Sequence, residues 1–310
     1  MRISDRTIIR NYMTSLSTGS EERAKANLKV STGRAYQTVS EDPVAAMKAM
    51  KIRRSLARID DYKGNITDLK AIAQERESAF AELSDITIDM TSLLQQGKTG
   101  TYSESDRASI ASALRSYQET VYDIGNSSYC GKYIFGGTSE YEIPFSLDGS
   151  GNLLYHGSDV DSGSFAPEQF LMDISEGTAV NAAFSGATLL GSGVDGDGLS
   201  NNVYQFIGQM ASAFENNDLS QMDLFSKKLT TIQGDVTVHQ AEAGSQSQFI
   251  SFFEERLTAT KTNLTERQTG LEGTDSAEAI MNYNLVSSAY DATLAMGAKI
   301  IPQTLLDYIS

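Results

Sequence analysis

The chain has 310 residues and carries 25 Lys and Arg against 40 Asp and Glu, a formal net charge of −15. This excess of acid argues against nucleic acid and an anionic membrane surface as partners, because both require clustered positive charge. The single cysteine, Cys130, excludes an intramolecular disulfide. No apolar run approaches the length of about 18 residues that a membrane-spanning helix needs.

The first predicted helix, within residues 8–30, has only a thin apolar stripe. A run of polar residues at 20–23 interrupts it. A stripe this narrow cannot bury itself alone, so we expect the helix to be ordered only with a partner. The segment MRISDRTIIRNYM lacks the apolar core of a secretory signal peptide.

The stretch STGRAYQTVSEDP at residues 31–43 has no helical or strand period and separates two helical patterns. Gly33 suits the position just after a helix end, where a positive φ costs glycine little. Asp42 suits the N-cap of the next helix, with Pro43 in the first turn of that helix. The stretch is therefore predicted to be a joint between two helices.

Long heptad repeats follow this joint. Two apolar columns predict a coiled-coil helix over about seven heptads, with the members Ile52, Ile59, Ile66, Ala73, Phe80, Thr87 and Leu94, and Tyr62, Leu69, Leu83 and Met90. The segment QGKTG at residues 96–100 is expected to end this helix. Ser103 and Asp106 resemble a capping box that starts a second, antiparallel helix.

The C-terminal half repeats the pattern. One apolar column recurs every seven residues from Met222 to Leu271, beside a second column that includes the polar His239 and Gln246. A helix over residues 219–270 would be about 75 Å long, and the earlier heptad helix is the expected partner. A shorter helix around residues 203–214 precedes it, and residues 276–310 form a last amphipathic helix.

Residues 138–202 differ from both halves, because they contain no Lys or Arg, ten Asp or Glu and ten of the 25 glycines. Asp148-Gly149 between two apolar segments is a hairpin signal. The fold class expected is therefore mainly α: a long antiparallel coiled-coil bundle formed by the N- and C-terminal halves, with a small, acidic, β-rich inserted domain that faces outward.

Catalytic signals are weak. The two histidines, His156 and His239, belong to no recognised metal or nucleophile motif, so no cofactor and no metal site are expected. GVDGDG at residues 193–198 lacks the ligand spacing of a helical calcium loop and is interpreted as a flexible linker. The pattern favours a subunit that polymerises through weak terminal helices. A secreted tip or translocator protein remains an alternative, although no strongly apolar hairpin is present, and an enzyme is the outlying hypothesis.

Several motifs resemble the flagellin superfamily: MRIS, STGRAYQTVSEDPVAA, SDRASIASAL, GKYIFGGTSEYEIPF, LLYHG and the long segment that begins AEAIMNYNL. The segment from GKYIFGG to IPF resembles the hook–filament junction family more than filament flagellin, which stays the alternative. The resemblance covers both ends and most helices and is thin across residues 150–200.

This resemblance implies four segments. Residues 1–33 plus 275–310 would pair as an inner tube domain, residues 34–42 would be a linker, residues 43–137 plus 203–274 would form the coiled-coil domain, and residues 138–202 would form the outer domain. The implied assembly contacts are Ile9, Tyr12, Leu16, Val30, Ile280, Tyr283, Tyr290, Leu294, Ile301, Leu305 and Tyr308, with Gly33, Asp42 and Pro43 as the joint.

The resemblance also implies partners and a location. The partners would be the first junction protein, flagellin, other copies of the same chain, and a cytosolic export chaperone on the C-terminal helix. The chain would leave the cell unfolded through the flagellar secretion channel, without a cleaved signal, and would act in the extracellular flagellum.

Overall fold

The computed structural model describes residues 5–99, 102–162 and 165–300. In these ranges the helices are α1 (Asp5–Thr32), α2 (Pro43–Lys98), α3 (Glu104–Gly125), α4 (Gly186–Leu190), α5 (Val203–Glu215), α6 (Met222–Glu272) and α7 (Ser276–Ile300). The strands are β1 (Ser128–Tyr129), β2 (Lys132–Tyr133), β3 (Phe145–Leu147), β4 (Leu153–Tyr155), β5 (Ser158–Asp159), β6 (Leu171–Ser175) and β7 (Thr178–Asn181).

The chain divides into two compact units. The first unit comprises residues 1–59 and 259–310, and the second comprises residues 60–258. This division cuts both long helices, whereas the four segments expected from the sequence keep α2 and α6 whole. Those four segments stay a prediction.

In the second unit, α2 and α6 lie antiparallel, as the matching heptad columns predict. The Lys70 Nζ atom lies 2.8 Å from Glu254 Oε2, and the Gln233 side-chain amide donates to the Thr87 carbonyl at 3.0 Å. Members of both α2 columns and of the α6 columns are buried: Ile66, Leu69, Ala73, Phe80, Leu83, Thr87, Met90, Leu94, Met222, Phe225, Leu229, Ile232, Val236, Ala243, Ile250, Phe253 and Leu257. The mainly α fold class is thereby confirmed.

The connection between α2 and α3 follows the expected chemistry. Ser103 and Asp106 form the predicted capping box, with Asp106 N–H donating to the Ser103 hydroxyl at 3.2 Å. The helix α2 ends at Lys98, inside the expected segment 96–100. Gly97 lies in its last turn, where an added Cβ would lie 2.6 Å from Phe214 Cζ. Gly97 therefore makes room for an aromatic ring of α5.

Two of the hairpins turn through a left-handed residue followed by glycine. Cys130 and Gly131, between β1 and β2, have φ values of 51° and 80°, and His156 and Gly157, between β4 and β5, have φ values of 47° and 77°. Positive φ at both central positions is typical of a type I′ turn, which matches the twist of the paired strands. The β1–β2 hairpin was not predicted from the sequence.

The predicted hairpin at Asp148 is present between β3 and β4. Leu147 pairs with Leu153, and the Asp148 N–H donates to the Asn152 carbonyl at 3.0 Å. Asp148 Oδ1 also accepts the backbone N–H of Ser150 at 2.7 Å. The loop is thus longer than a two-residue Asp-Gly turn, because Asp148 caps it with its own side chain.

The segment at residues 193–198 is an ordered turn rather than the flexible linker that was expected. Asp195 Oδ1 accepts the backbone N–H groups of Asp197 at 3.0 Å and Leu199 at 2.9 Å. Asp195 Oδ2 lies 2.9 Å from Nζ of the buried Lys228, which also contacts the Asn201 side chain. A lysine ammonium therefore supplies the positive charge at this acidic loop.

Candidate assembly surface

The terminal helices α1 and α7 pair through alternating large and small side chains within the first unit. A Cβ added to Gly297 would overlap the ring of Tyr12, and a Cβ added to Gly19 would touch Tyr290 Cδ2 at 3.4 Å. The Arg23 guanidinium lies over the Tyr290 ring, 5.3 Å from its centroid. Each tyrosine thus packs where the facing helix has only a glycine.

The first unit buries very little apolar side-chain volume in its described residues. The buried apolar residues there are Ala26, Ala46, Ala49, Ile59 and Ala279. Burial of a full Leu or Ile side chain contributes about 1.5–3 kcal/mol, and an alanine methyl contributes far less. Ordering the backbone costs about 1–2 kcal/mol of conformational entropy per residue. Such a unit has little hydrophobic free energy to offset this cost.

The same unit exposes many large apolar side chains. They lie on α1, on the joint, on the first two turns of α2 and on α7: Ile8, Ile9, Met13, Leu28, Val30, Val39, Val44, Met47, Met50, Ile280, Met281, Leu285, Leu294 and Met296. Met281 is 65% exposed and Leu285 is 69% exposed. Apolar surface of this extent marks an interaction site in a soluble protein.

The expected assembly residues fall into three groups. Ile9, Val30, Ile280 and Leu294 are exposed. Tyr12, Leu16, Tyr283 and Tyr290 are half-buried, and two of these tyrosines pack between α1 and α7 as described above. The remaining three, Ile301, Leu305 and Tyr308, lie outside the described residues.

Met281 and Leu285 were not predicted as contact residues, although the sequence holds a signal for them. They lie on α7 away from the Tyr283 and Tyr290 positions, so the helix is apolar on more than one face. A helix that is apolar on several faces is normally buried on all of them. One face of α7 packs against α1, and the face with Met281 and Leu285 is exposed.

The joint at residues 33–42 has the local structure predicted for its ends. Gly33 has φ of +66°, and its N–H donates to the Lys29 carbonyl at 3.0 Å, which is the left-handed helix cap expected there. Asp42 Oδ1 accepts the Ala45 N–H at 2.9 Å and so caps α2.

This joint lies directly beside the turn that links α6 to α7. The Ala35 N–H donates to the Glu272 carbonyl at 2.7 Å, and the Thr274 N–H donates to the Gly33 carbonyl at 3.0 Å. The two connections therefore hold each other through backbone hydrogen bonds, and both terminal helices leave the long helices at the same place.

An ion pair lies at this contact between the joint and the α6–α7 turn. Arg53 Nη2 lies 2.6 Å from Oε1 of the buried Glu272. Burial acts to raise the pKa of the Glu272 carboxyl, but hydrogen bonds from Arg53 and Gln268 outweigh it and leave that pKa below its usual range. Glu272 is therefore ionised at neutral pH and fixes Arg53 against the joint.

The remaining polar groups of the described residues indicate packing roles. His239 stacks on Phe80 with ring centroids 6.0 Å apart, and His156 contacts the Gly136 carbonyl through Nε2 at 3.1 Å. No cluster of three or more His, Cys, Asp or Glu side chains suited to a metal occurs in the described ranges. Within the same ranges, no helix has the length and apolar character needed to cross a membrane.

Comparison with known proteins identifies the class of these helices. Residues 3–140 match the bacterial flagellin N-terminal helical region. The chain therefore carries a flagellin-type helical region, in agreement with the exposed, weakly packed α1 and the long α2 that follows it.

More particularly, the chain is similar to flagellar hook-associated protein 3 of Salmonella typhimurium, with 27% identity over 160 residues, or 51% of this chain and 50% of that protein. The chain thus spans about half the length of this relative. The predicted resemblance to the hook–filament junction family of the flagellin superfamily is confirmed.

Solved structures show the same fold. A flagellar hook-associated protein from Vibrio parahaemolyticus has a TM-score of 0.64 at 19% identity and covers 75% of this chain and 100% of its own. Bacillus cereus FlgL has a TM-score of 0.57 at 20% identity and covers 71% of this chain and 99% of its own. At these identities the likeness concerns the fold alone.

Proposed function

We propose that the chain is a structural subunit of the bacterial flagellum that joins the hook side to the flagellin filament. In this role it polymerises through its terminal helices and performs no catalysis. The observation that carries the proposal is the first unit, whose described residues bury mainly alanine and expose fourteen large apolar side chains. Such a unit gains most of its stability from neighbours.

The physical argument is one of burial. Each exposed Leu, Ile or Met that a neighbour covers contributes up to about 1.5–3 kcal/mol, so a few contacts per subunit suffice to order the terminal helices. The partners proposed are other copies of the chain, the first junction protein on the hook side, and flagellin on the filament side. Nucleic acid and membranes are not among them.

Export adds a further proposed partner. A helix with the exposed residues of α7 would associate prematurely in the cytosol, so a chaperone is proposed to cover it until secretion through the flagellar channel. The route requires no cleaved signal, and it places the working protein outside the cell. Little buried apolar surface in the terminal helices suits a chain that passes through the channel unfolded.

Limited proteolysis of the dilute chain tests the weak first unit. We expect rapid cleavage within roughly the first 40 and last 35 residues, because few buried contacts oppose local opening there, while the second unit persists. Addition of a polymerisation seed from purified hook–filament junctions should slow this cleavage. Termini that resist protease in the dilute chain would contradict the proposal.

A genetic experiment tests the junction role. Deletion of the gene should leave hooks intact, without attached filaments, and with flagellin shed into the medium. If this chain were the filament subunit instead, deletion would remove the filament and release no other flagellin. Hooks that still carry filaments would refute the junction assignment.

Complementation of that deletion tests the surface itself. Leu285→Asp places a carboxylate on the exposed apolar face of α7 and should prevent filament attachment. Asn284→Asp adds the same carboxylate to the neighbouring exposed position and should complement normally, because no apolar contact is lost there. Equal behaviour of the two variants would remove this face of α7 from the assembly surface.

A further inference from the structure

A cavity in the second unit lies between α2, the β1–β2 hairpin and the β6–β7 hairpin. It encloses about 340 Å³, which is within the size range of small-ligand sites. Its walls are mainly apolar and aromatic and include Ile72, Phe170 and Met172. The charged residues of the lining are Asp68, Arg76, Lys132 and Glu140.

Arg76 is the unusual member of this lining. It is only 3% exposed, and burial lowers its pKa to about 10, so the guanidinium is still charged at neutral pH. One of its terminal nitrogens donates to the Ala182 carbonyl, and its Cζ atom lies 5.1 Å from the centroid of the Phe184 ring. No carboxylate of the described residues lies within ion-pair distance of it.

The guanidinium of Arg76 is also incompletely hydrogen-bonded. Its Nε atom is buried and has no hydrogen-bond partner among the described residues. A buried charge without a counter-ion is costly, and a carbonyl and an aromatic face offset only part of that cost. A carboxylate would offset more, because its two oxygens can accept parallel N–H donors of the planar guanidinium.

The other charges at the cavity determine how such a group would lie. Lys132 is already neutralised by Glu140, with Nζ and Oε2 2.6 Å apart. Asp68 precedes Arg76 by eight residues on the same helix, which separates them by about 12 Å along the axis. A ligand carboxylate would therefore point toward Arg76, with its apolar body directed away from it along the wall of Ile72 and Phe170.

We propose that this cavity binds a carboxylate carried on an apolar or aromatic body, with Arg76 as the anchoring cation. The site is independent of the assembly surface in the first unit. The chemistry is satisfied by a free small acid or by an acidic side chain of a neighbouring copy, and the experiment separates these two sources.

The test uses phenylacetate as the probe and phenylacetamide as its uncharged analogue. The chain has no tryptophan, so Phe170→Trp introduces a single indole at the cavity wall whose fluorescence reports binding. Phenylacetate should bind saturably, and phenylacetamide should bind at least about tenfold more weakly, which corresponds to about 1.4 kcal/mol. Calorimetry on the unmodified chain should give the same ratio.

Variants connect the binding to Arg76. Arg76→Gln should weaken phenylacetate binding by about tenfold or more, whereas Arg54→Gln, at an exposed position of the same helix, should leave it unchanged. If Arg76→Gln does not fold, Met172→Trp keeps Arg76 and fills the cavity, and it should abolish binding with an unchanged circular dichroism spectrum. Absence of saturable binding, or equal binding of acid and amide, would overturn the proposal.

Sedimentation distinguishes the source of the carboxylate. Self-association that Arg76→Gln weakens and phenylacetate competes with would assign the carboxylate to a neighbouring copy. Sedimentation that neither change affects, together with saturable binding of phenylacetate, would assign it to a free acid. Binding that persists undiminished in both Arg76→Gln and Met172→Trp would refute the site.

Discussion

Replacing a helical glycine by alanine should have opposite effects at two positions of α2. At Gly97, a new Cβ would lie 2.6 Å from Cζ of Phe214, a ring that is 1% exposed. At Gly64, a new Cβ would have no atom within 4 Å. The same substitution in the same helix therefore separates the packing effect from the backbone effect.

The magnitudes follow from these two surroundings. Alanine stabilises a helix interior by about 0.5–1 kcal/mol relative to glycine, and Gly64→Ala should gain this amount. An overpacked core costs about 1–3 kcal/mol, and Phe214 has little room to move. Subtracting the helix gain from the overpacking cost leaves an expected loss of about 1 kcal/mol for Gly97→Ala.

Thermal unfolding followed by circular dichroism measures both changes. For a unit of this size, 1 kcal/mol corresponds to about 2–4 °C. We expect the transition of the second unit to fall by about 2–4 °C in Gly97→Ala and to rise by about 1–4 °C in Gly64→Ala. Combining Gly97→Ala with Phe214→Leu should recover part of the loss, since a smaller side chain leaves space for the methyl. A Gly97→Ala variant as stable as Gly64→Ala would refute the packing argument.

Two further predictions concern charge and backbone geometry. Lys228→Met removes the buried partner of Asp195 and should destabilise the second unit by about 1.5–3 kcal/mol at pH 7. The hydrogen bond from Lys228 lowers the pKa of Asp195, so this stabilisation is present above the ordinary aspartate pKa of about 4 and is lost as the pH falls through the lowered pKa. The free energies of unfolding of the two proteins, measured by urea titration, should therefore differ less in acid than at pH 7. Gly33→Val should cost about 1–2 kcal/mol from its left-handed φ alone, since no atom lies within 4 Å of the added Cβ, and should reduce filament attachment. Gly33→Asn should lose less stability and less attachment, because asparagine tolerates this φ better. Equal attachment of the unchanged chain and both variants would show that the joint does not depend on this conformation.

The long helices could be predicted because the heptad period determines which residues meet. Ile66, Leu83 and Met90 are buried as their two columns require, and no knowledge of the inserted segment is needed to place them. The ends of the joint were also predictable, since a glycine after a helix and an Asp-Pro before one act locally.

The cavity could not be predicted by the same means, although one position of the second α2 column departs from the apolar pattern. Position 76 falls seven residues after Leu69 and seven before Leu83, and it is occupied by arginine instead of an apolar residue. The period indicates that this side chain points inward. It does not indicate that the end of β7 and the residue after it lie there, where Ala182 accepts a hydrogen bond from Arg76 and Asn181 accepts one from Gln246. Such contacts join residues that are 106 and 65 positions apart in the sequence.

The glycine and tyrosine pairs between α1 and α7 also fix the register in which the two helices pack. Tyr12 and Gly19 lie seven residues apart on one helix, and Tyr290 and Gly297 lie seven apart on the other. A slip of one heptad would bring Tyr12 against Tyr290 or Gly19 against Gly297. Two large side chains would then clash, or two glycines would leave a gap. Two helices held by so little buried surface can therefore separate completely and still return to one alignment.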